Sequence, residues 1–360
     1  MSTLMQASRQ WANRPAEERF TTLTDMRAKM HAQRAIARAS VVSSRQLRAV
    51  PDGADGLLIE GPAGRGFAPT NWAFGQLAGL VGAPGAYVRE LPAPLAADCV
   101  NYGLQVTRDA HDIGVLVDRE GQLRAATGPR YGRIWNSDIV DALADRFGDG
   151  ATGQWRVPGI GGQALSEVTS ANTTLYAGDR DMFVFLADEV NRIELPGRRP
   201  GETGTLARGF FMWNSEVGSS TFGLKTFLFD FVCQNRIVWG AHEMEEIRIR
   251  HTASAPDRFI EEVTPALLAY SQSSAANVSN VLKGAQRSKI DKVDAFLAQR
   301  FGPKIGQRIQ ATHEREEGRP IETLWDAVTG ATAYARTIPW TADRVEFEST
   351  AGEILELVDA

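Results

Sequence analysis

Two kinds of hydrophobic pattern divide the chain. Up to about residue 252, short apolar or alternating runs recur between Gly, Pro, Asn and Asp, whereas beyond residue 257 apolar positions return every three to four residues. The clearest strand pair is 113–117 with 123–126. It is joined through Asp118-Arg119-Glu120-Gly121, a Gly-bearing tight turn between two apolar runs. Residues 173–177 and 182–186 bracket Gly178-Asp179-Arg180-Asp181 and predict a second hairpin. A short strand and turn are expected over 57–66, and further strands over 203–207 and 209–213. The intervening Pro196-Gly197-Arg198-Arg199-Pro200-Gly201 is expected to form an irregular loop, because Pro cannot donate to a ladder and Gly weakens one.

Helical spacing begins early. Pro15 with Glu17 and Glu18, followed by Phe20, Leu23, Met26, Met30 and Ile36, predicts an opening helix with its acids at the positive end. Thr70 or Asn71 is placed to cap a helix carrying Trp72, Phe74, Leu77 and Leu80. Residues 86–91 and a helix over 94–104 then give a helix-turn-helix arrangement. Its second helix, with Leu95, Ala96, Ala97, Cys99 and Val100, has almost no donors for base edges and reads as core packing. Ser137 is expected to cap a helix with Ile139, Val140, Leu143 and Phe147 on one face. Later periodicity runs through Phe259, Val263 and Leu267, through Ile290, Val293, Phe296 and Leu297, and through Leu324, Val328, Ile354, Leu355 and Val358. The fold class is therefore α+β, an antiparallel-rich sheet with inserted helices and a mostly helical C-terminal part. The organisation expected is a basic helical arm over 1–45, an α+β core domain over 46–252 and a helical unit over 253–360 packed on the core.

With 43% hydrophobic and 23% charged residues, the 360-residue chain has ordinary globular composition and needs no staples. Cys99 and Cys233, outside any C-x-x-C spacing, argue against a disulfide framework or zinc site and for a reducing compartment. No signal-peptide pattern and no membrane-length apolar run is evident, so a cytoplasmic protein without a membrane partner is expected. The net charge of −5 gives no global attraction to nucleic acid, but its distribution is uneven. From Met1 to Val50 nine basic residues face three acidic ones, a local +6.

Catalytic patterns are lacking. His31, His111, His242, His251 and His313 form no H-x-x-x-H pair, and Gly159-Ile160-Gly161-Gly162 is followed by no Lys-Ser/Thr. No G-x-S-x-G elbow occurs, and Cys233 has no base beside it. No catalytic residue, metal ligand or cofactor is expected. Two places nonetheless carry suggestive chemistry. After the first hairpin, whose second strand holds Arg124, the turn Arg130-Tyr131-Gly132-Arg133-Ile134-Trp135-Asn136 sets cations beside aromatics. The second place runs from Phe210 through Trp213-Asn214-Ser215-Glu216-Val217-Gly218 to Lys225 and on to Cys233-Gln234-Asn235-Arg236.

This second stretch, with its N-S-E-V-G and C-x-N elements, resembles the phage and plasmid-like family known as domain of unknown function 932. Arg130-Tyr131 and Leu324-Trp325-Asp326-Ala327-Val328-Thr329 support the likeness over most of the chain. The resemblance implies carriage on mobile elements and a place in DNA maintenance or recombination, but no activity, cofactor or active-site residue. Physically, Asn214, Ser215 and Glu216 interrupt an apolar strand. Burying such groups unpaired costs about 1–3 kcal/mol per neutral group, so they must be networked or line a groove. Lys225, Asn235 and Arg236 interleaved with Trp213, Phe222 and Trp239 have the composition of a single-strand groove, although the same rings serve equally well as core.

The function expected is nucleic-acid binding, as single-stranded DNA binding or annealing in recombination or replication, through Arg124, Arg130, Tyr131, Arg133, Trp135, Asn214, Ser215, Lys225, Asn235 and Arg236. Self-association into a homo-oligomer is a second expected partnership. Alternatives are a metal-dependent nuclease using Asp179, Asp181, Glu216 and Glu243, and a non-enzymatic protein-interaction factor. Arg130 and Tyr131 are expected to meet Asn214, Ser215, Glu216 and Asn235 in one polar cleft, with Gly132 and Gly218 permitting close approach.

Overall fold

A computed structural model describes residues 15–53, 56–106, 112–159, 168–199, 202–230, 236–237, 246–273, 276–338 and 341–358. After a 3-10 turn at Ala16–Glu18 the chain enters β1 (Arg19–Phe20) and α1 (Leu23–Ile36). The predicted opening helix thus starts later than its periodicity suggested. Phe20 pairs with Leu175 as strand, and Thr22 caps the helix by accepting from the Asp25 N–H at 3.0 Å. Leu23, Met26 and Met30 of α1 are buried in the main core, so this helix is part of the body.

A six-stranded sheet follows, built from β2 (Arg38–Ser43), β3 (Arg48–Asp52), β4 (Gly56–Glu60), β5 (Gly66–Pro69), β6 (Asp112–Val117) and β7 (Gln122–Thr127) in the order β2-β6-β7-β5-β4-β3. Only the pairing of β5 with β7 is parallel. The β6–β7 hairpin turns where predicted. Asp118 Oδ1 accepts from the Gln122 N–H at 2.9 Å, and Gly121 sits at φ 97°, a conformation that favours glycine. Helices α2 (Asn71–Leu80), α3 (Gly85–Val88) and α4 (Ala93–Val106) close the sheet, burying Leu77, Val100 and Leu104 against Ile113 and Leu123. Thr70 is the cap of α2, and the inward face of α4 is Ala96, Ala97, Val100 and Leu104, the core role read from its sequence.

From α5 (Asn136–Phe147) the chain passes to an eight-stranded antiparallel sheet that also includes β1. Its other strands are β8 (Trp155–Arg156), β9 (Leu175–Ala177), β10 (Met182–Arg199), β11 (Glu202–Asn214), β12 (Phe222–Asp230), β13 (Arg236–Ile237) and β14 (Ile247–Ile249). The main path is β1-β9-β10-β11-β12-β13, with β8 on β10 and β14 on β12. Of the loop expected over 196–201, residues 196–199 are instead strand, and 200–201 lie outside the described residues. Pro196 pairs with Thr203 and Arg199 with Glu202 across a register shift. No third strand pairs with this end among the described residues, so the missing Pro N–H interrupts no further ladder.

Alternation along β11 sends Phe210 and Met212 to a core shared with α1 and α5, and Phe211 and Trp213 to the opposite face with Phe185 and Phe227. The remaining chain is helical: α6 (Ala255–Arg258) runs through a π turn at Phe259–Val263 into α7 (Thr264–Gln272), followed by α8 (Ala276–Arg287), α9 (Val293–Phe301), α10 (Pro303–Glu317), α11 (Leu324–Ala335) and α12 (Thr341–Gly352). Leu282, Leu297, Ile309, Val328 and Ile354 pack there against Ile193, Leu206 and Leu228 from the sheet. The α+β class with a helical C-terminal part is thus as the sequence indicates. Among the described residues no helix is long and apolar enough to cross a membrane.

Candidate functional site

The polar end of β11 is a knot that ties the two sheets together. Asn214 inherits the inward parity of Phe210 and Met212 and is fully buried. Its Nδ2 donates to Ile134 O at 2.9 Å and Asn136 Oδ1 at 2.8 Å, while its Oδ1 finds no donor among the described residues. Ser215 Oγ donates to Arg180 O at 2.6 Å and accepts from the Ser219 N–H at 2.9 Å, closing the turn toward β12. Gly218 in this turn has φ 81°, which a side chain would strain.

Glu216 is the hub. Its Oε2 meets the buried Arg124 of β7 at 3.3 Å, its Oε1 accepts from the Asn136 N–H at 2.8 Å, and its carbonyl accepts from Arg133 Nε at 2.7 Å. Helix α5 has Trp135 at its N-cap, a residue with no side-chain acceptor. The carboxylate of Glu216 fills that place and sits at the positive end of the helix. Ser137, expected as the cap, lies inside the helix and donates to Asp138 at 3.1 Å. Next along the chain, Val217 O accepts from Trp72 Nε1 at 3.1 Å and Gln76 Nε2 at 2.7 Å, and Gln76 Oε1 accepts from the Ala126 N–H at 3.1 Å. Residues 214–217 therefore bond to α2, β7 and the segment entering α5.

The expected convergence occurs in altered form. Tyr131 does reach the motif, donating from its hydroxyl to Ser215 O at 2.7 Å. Asn214, Ser215 and Glu216, however, are buried in a hydrogen-bonded network, with Asn214 Oδ1 lacking a donor among the described residues, rather than lining a cleft, and Arg124 is buried with them. These four residues are architecture, because every bond that satisfies them removes a group from reach of a ligand. Both carboxylate oxygens of Glu216 are engaged, which also takes it out of any metal set. Among the described residues no group of three or more His, Cys, Asp or Glu is placed to hold a metal ion. Of the other acids weighed for a nuclease, Asp181 is buried in the β9–β10 turn, Asp179 is exposed there, and Glu243 lies outside the described residues.

Outside the knot stands a row of cations and rings. Arg130 is exposed, and Tyr131, Arg133 and Trp135 are half-buried. Gly132 is pinned between them: its N–H donates to His251 O at 3.1 Å, and an added Cβ would lie 1.8 Å from Thr252 O. His251 Nδ1 lies 3.0 Å from Gly132 O, so it carries the proton, and its ring stacks on Tyr131 with centroids 4.8 Å apart. The Arg133 guanidinium lies 5.4 Å from the Tyr131 ring centre and 5.3 Å from that of Trp135. Arg34, from the last turn of α1, covers Trp135 at 3.5 Å. Burial moves three groups: it raises the Tyr131 hydroxyl, partly opposed by Arg133, and it lowers both Arg133 and the His251 imidazole.

The remaining predicted residues do not join this surface. Lys225 pairs in register with Phe211 and so belongs to the opposite face of the large sheet from Asn214. It binds Glu246 at 2.9 Å and approaches Ser349 Oγ at 3.4 Å. Asn235 lies outside the described residues, and of Arg236 only the backbone pairing with Phe229 is described. Residues that sequence reading missed are Arg34, Trp72, Gln76, Arg180 and His251. Trp72 and Gln76 did carry a signal, since spacing of four on a helix puts both on one face. Arg34 and His251 carried none, being 101 and 116 residues from Trp135.

No curated protein and no solved structure matches the chain. A family match covers residues 166–350, a span that holds the 214–218 motif, β10 to β12 and most of the helical part, while Trp72, Arg124 and the 130–136 segment that bond to the motif lie before it. The chain belongs to the family described as domain of unknown function (DUF932).

Proposed function

We propose that this protein binds nucleic acid without turning it over, acting on single strands in annealing or recombination on phage or plasmid-like elements, in the cytoplasm. One observation carries the reading: the row Arg130, Tyr131, Arg133 and Trp135 has the exposed Arg34 over Trp135 and the exposed Arg250 next in sequence to His251, whose ring stacks on Tyr131, and none of Arg34, Arg130 and Arg250 meets a carboxylate among the described residues. Some exposed cations elsewhere are paired, as in Arg27 with Asp141 at 2.6 Å and Arg258 with Glu262 at 2.6 Å, while others such as Arg45, Arg146 and Arg308 are exposed without a carboxylate among the described residues, so what sets this row apart is its rings. Uncompensated guanidiniums beside half-buried rings are the two elements strand binding uses, charge for phosphates and faces for bases. The chain's net −5 does not oppose this, because screening confines the field to about 8–10 Å at ordinary salt.

Fluorescence anisotropy of a labelled 20-nucleotide strand across a salt series tests the reading. A negative log–log slope is expected, made shallower by about 0.7 for each of Arg130→Ala and Arg250→Ala. Both side chains are exposed, so the fold should be unaffected. Absence of binding at low salt, or binding indifferent to both substitutions, refutes it.

A further inference from the structure

Trp135 is half-buried and packed against the cluster of Ala37, Leu116, Ala125 and Val217, and a movable group lies over its ring. That group is the Arg34 guanidinium, 3.5 Å from the ring centre, on an exposed side chain that pairs with no carboxylate among the described residues. Arg133 approaches the same indole at 5.3 Å, so two like charges share one ring. The exposed guanidinium is the one free to leave, since Arg133 is anchored through Nε to Glu216 O at 2.7 Å. Contacts between a cation and a ring in solvent are weaker than stacking of a base on a ring.

We infer that Arg34 is a displaceable cap on a nucleobase platform: an unpaired base takes its place on the Trp135 indole, and Arg34 swings to the neighbouring phosphate. The inference rests on the nucleic-acid reading above and goes further by naming the reader of bases and the form of strand it selects. Bases within a duplex stack on one another and offer no free face, so the platform discriminates for single strands. Exchange conserves the favourable contacts of Arg34, which trades the ring for an anion, and it relieves the crowding of Arg34 and Arg133.

The full chain is titrated with a labelled deoxyribose strand, the same strand carrying abasic sites throughout, the ribose equivalent and the duplex. The intact strand is expected to bind about tenfold tighter than the abasic one, within the range for stacking of a base on a ring. The duplex is expected to bind no better than the abasic strand. Trp135→Leu, which keeps an apolar side chain over Ala37 and Val217, should bring intact and abasic strands to equal affinity. Arg34→Ala should keep the preference for bases while making the salt slope shallower by about 0.7. Preference between ribose and deoxyribose identifies the natural strand, and either supports the platform. Equal binding of intact and abasic strands to the unmodified chain, with a normal salt slope, overturns the platform and leaves nucleic-acid binding standing. Failure of every strand to bind overturns both. Should Trp135→Leu unfold, the abasic comparison and Arg34→Ala decide alone.

Discussion

Replacing Glu216 by Gln removes one charge from the knot and almost no volume. The Gln Oε1 still accepts from the Asn136 N–H, so the cap of α5 survives, but its Nε2 faces Arg124, donor against donor. Arg124 and Glu216 are 3.3 Å apart with side chains 9% and 7% exposed. At that distance unit charges attract by about 5 kcal/mol for an effective dielectric constant near 20. Desolvation has already consumed much of this, so the pair is worth little against an apolar replacement, yet breaking it leaves a buried guanidinium unmatched at a cost of about 3–5 kcal/mol. Glu216→Gln should therefore destabilise by about 3 kcal/mol or more and Arg124→Met by a similar amount. The double variant, which buries no charge, should fall well short of their sum. Urea unfolding followed by tryptophan fluorescence and far-ultraviolet circular dichroism supplies the free energies. Hydrogen exchange should show β7 and the 131–136 segment loosening first in Glu216→Gln. A single variant within about 0.5 kcal/mol of the parent, or strict additivity in the cycle, would refute the account of Glu216 as a charge-matched hub.

Gly132→Ala should destabilise by about 1–3 kcal/mol or more, because the new Cβ meets the Thr252 backbone oxygen rather than a flexible side chain; the urea midpoint checks it. His251 has its imidazole value lowered by burial from 6.5, so below that pH the unfolded chain binds more protons than the folded one. Its contribution is complete above pH 6.5 and declines as the pH falls, and His251→Phe should flatten the urea midpoint between pH 7 and 5. Asp326 illustrates the carboxylate case: burial alone would raise it, but Arg319 at 2.5 Å and the N–H groups of Glu322 and Thr323 outweigh burial and lower it. The stability it gives α11 is present above its unfolded value of 3.8 and lost as pH falls through the lower folded value. Asp326→Asn should cost about 1–3 kcal/mol at pH 7 and less at pH 3, by thermal melting.

Local chemistry was legible from the residues themselves. The β6–β7 turn follows from Asp118 and Gly121, the start of α2 from Thr70, the buried face of α4 from its Ala and Val spacing, and the helical C-terminal part from its period, because each depends on neighbours within about four positions. The sequence also required that Asn214, Ser215 and Glu216 find partners, since their parity on a buried strand left no cheaper state. Which partners they find was decided only by the tertiary structure. Arg124 is 92 residues away and Asn136 is 80, distances at which no periodicity operates. The same holds where local rules failed. Strand pairing overrode Pro196 and Gly197 in β10, pairing of Phe20 with Leu175 cut short the opening helix, and a distant carboxylate took the cap expected of Ser137. Lys225 and Trp213 were separated from Asn214 because strand alternation and inter-strand register assign faces, and register is a property of two strands. Composition along one chain thus determined which groups had to be satisfied, while packing between sheets determined which were consumed as architecture and which were left exposed, Arg34 and Arg130 among them, or half-buried at the edge of the knot, as Tyr131, Arg133 and Trp135 are.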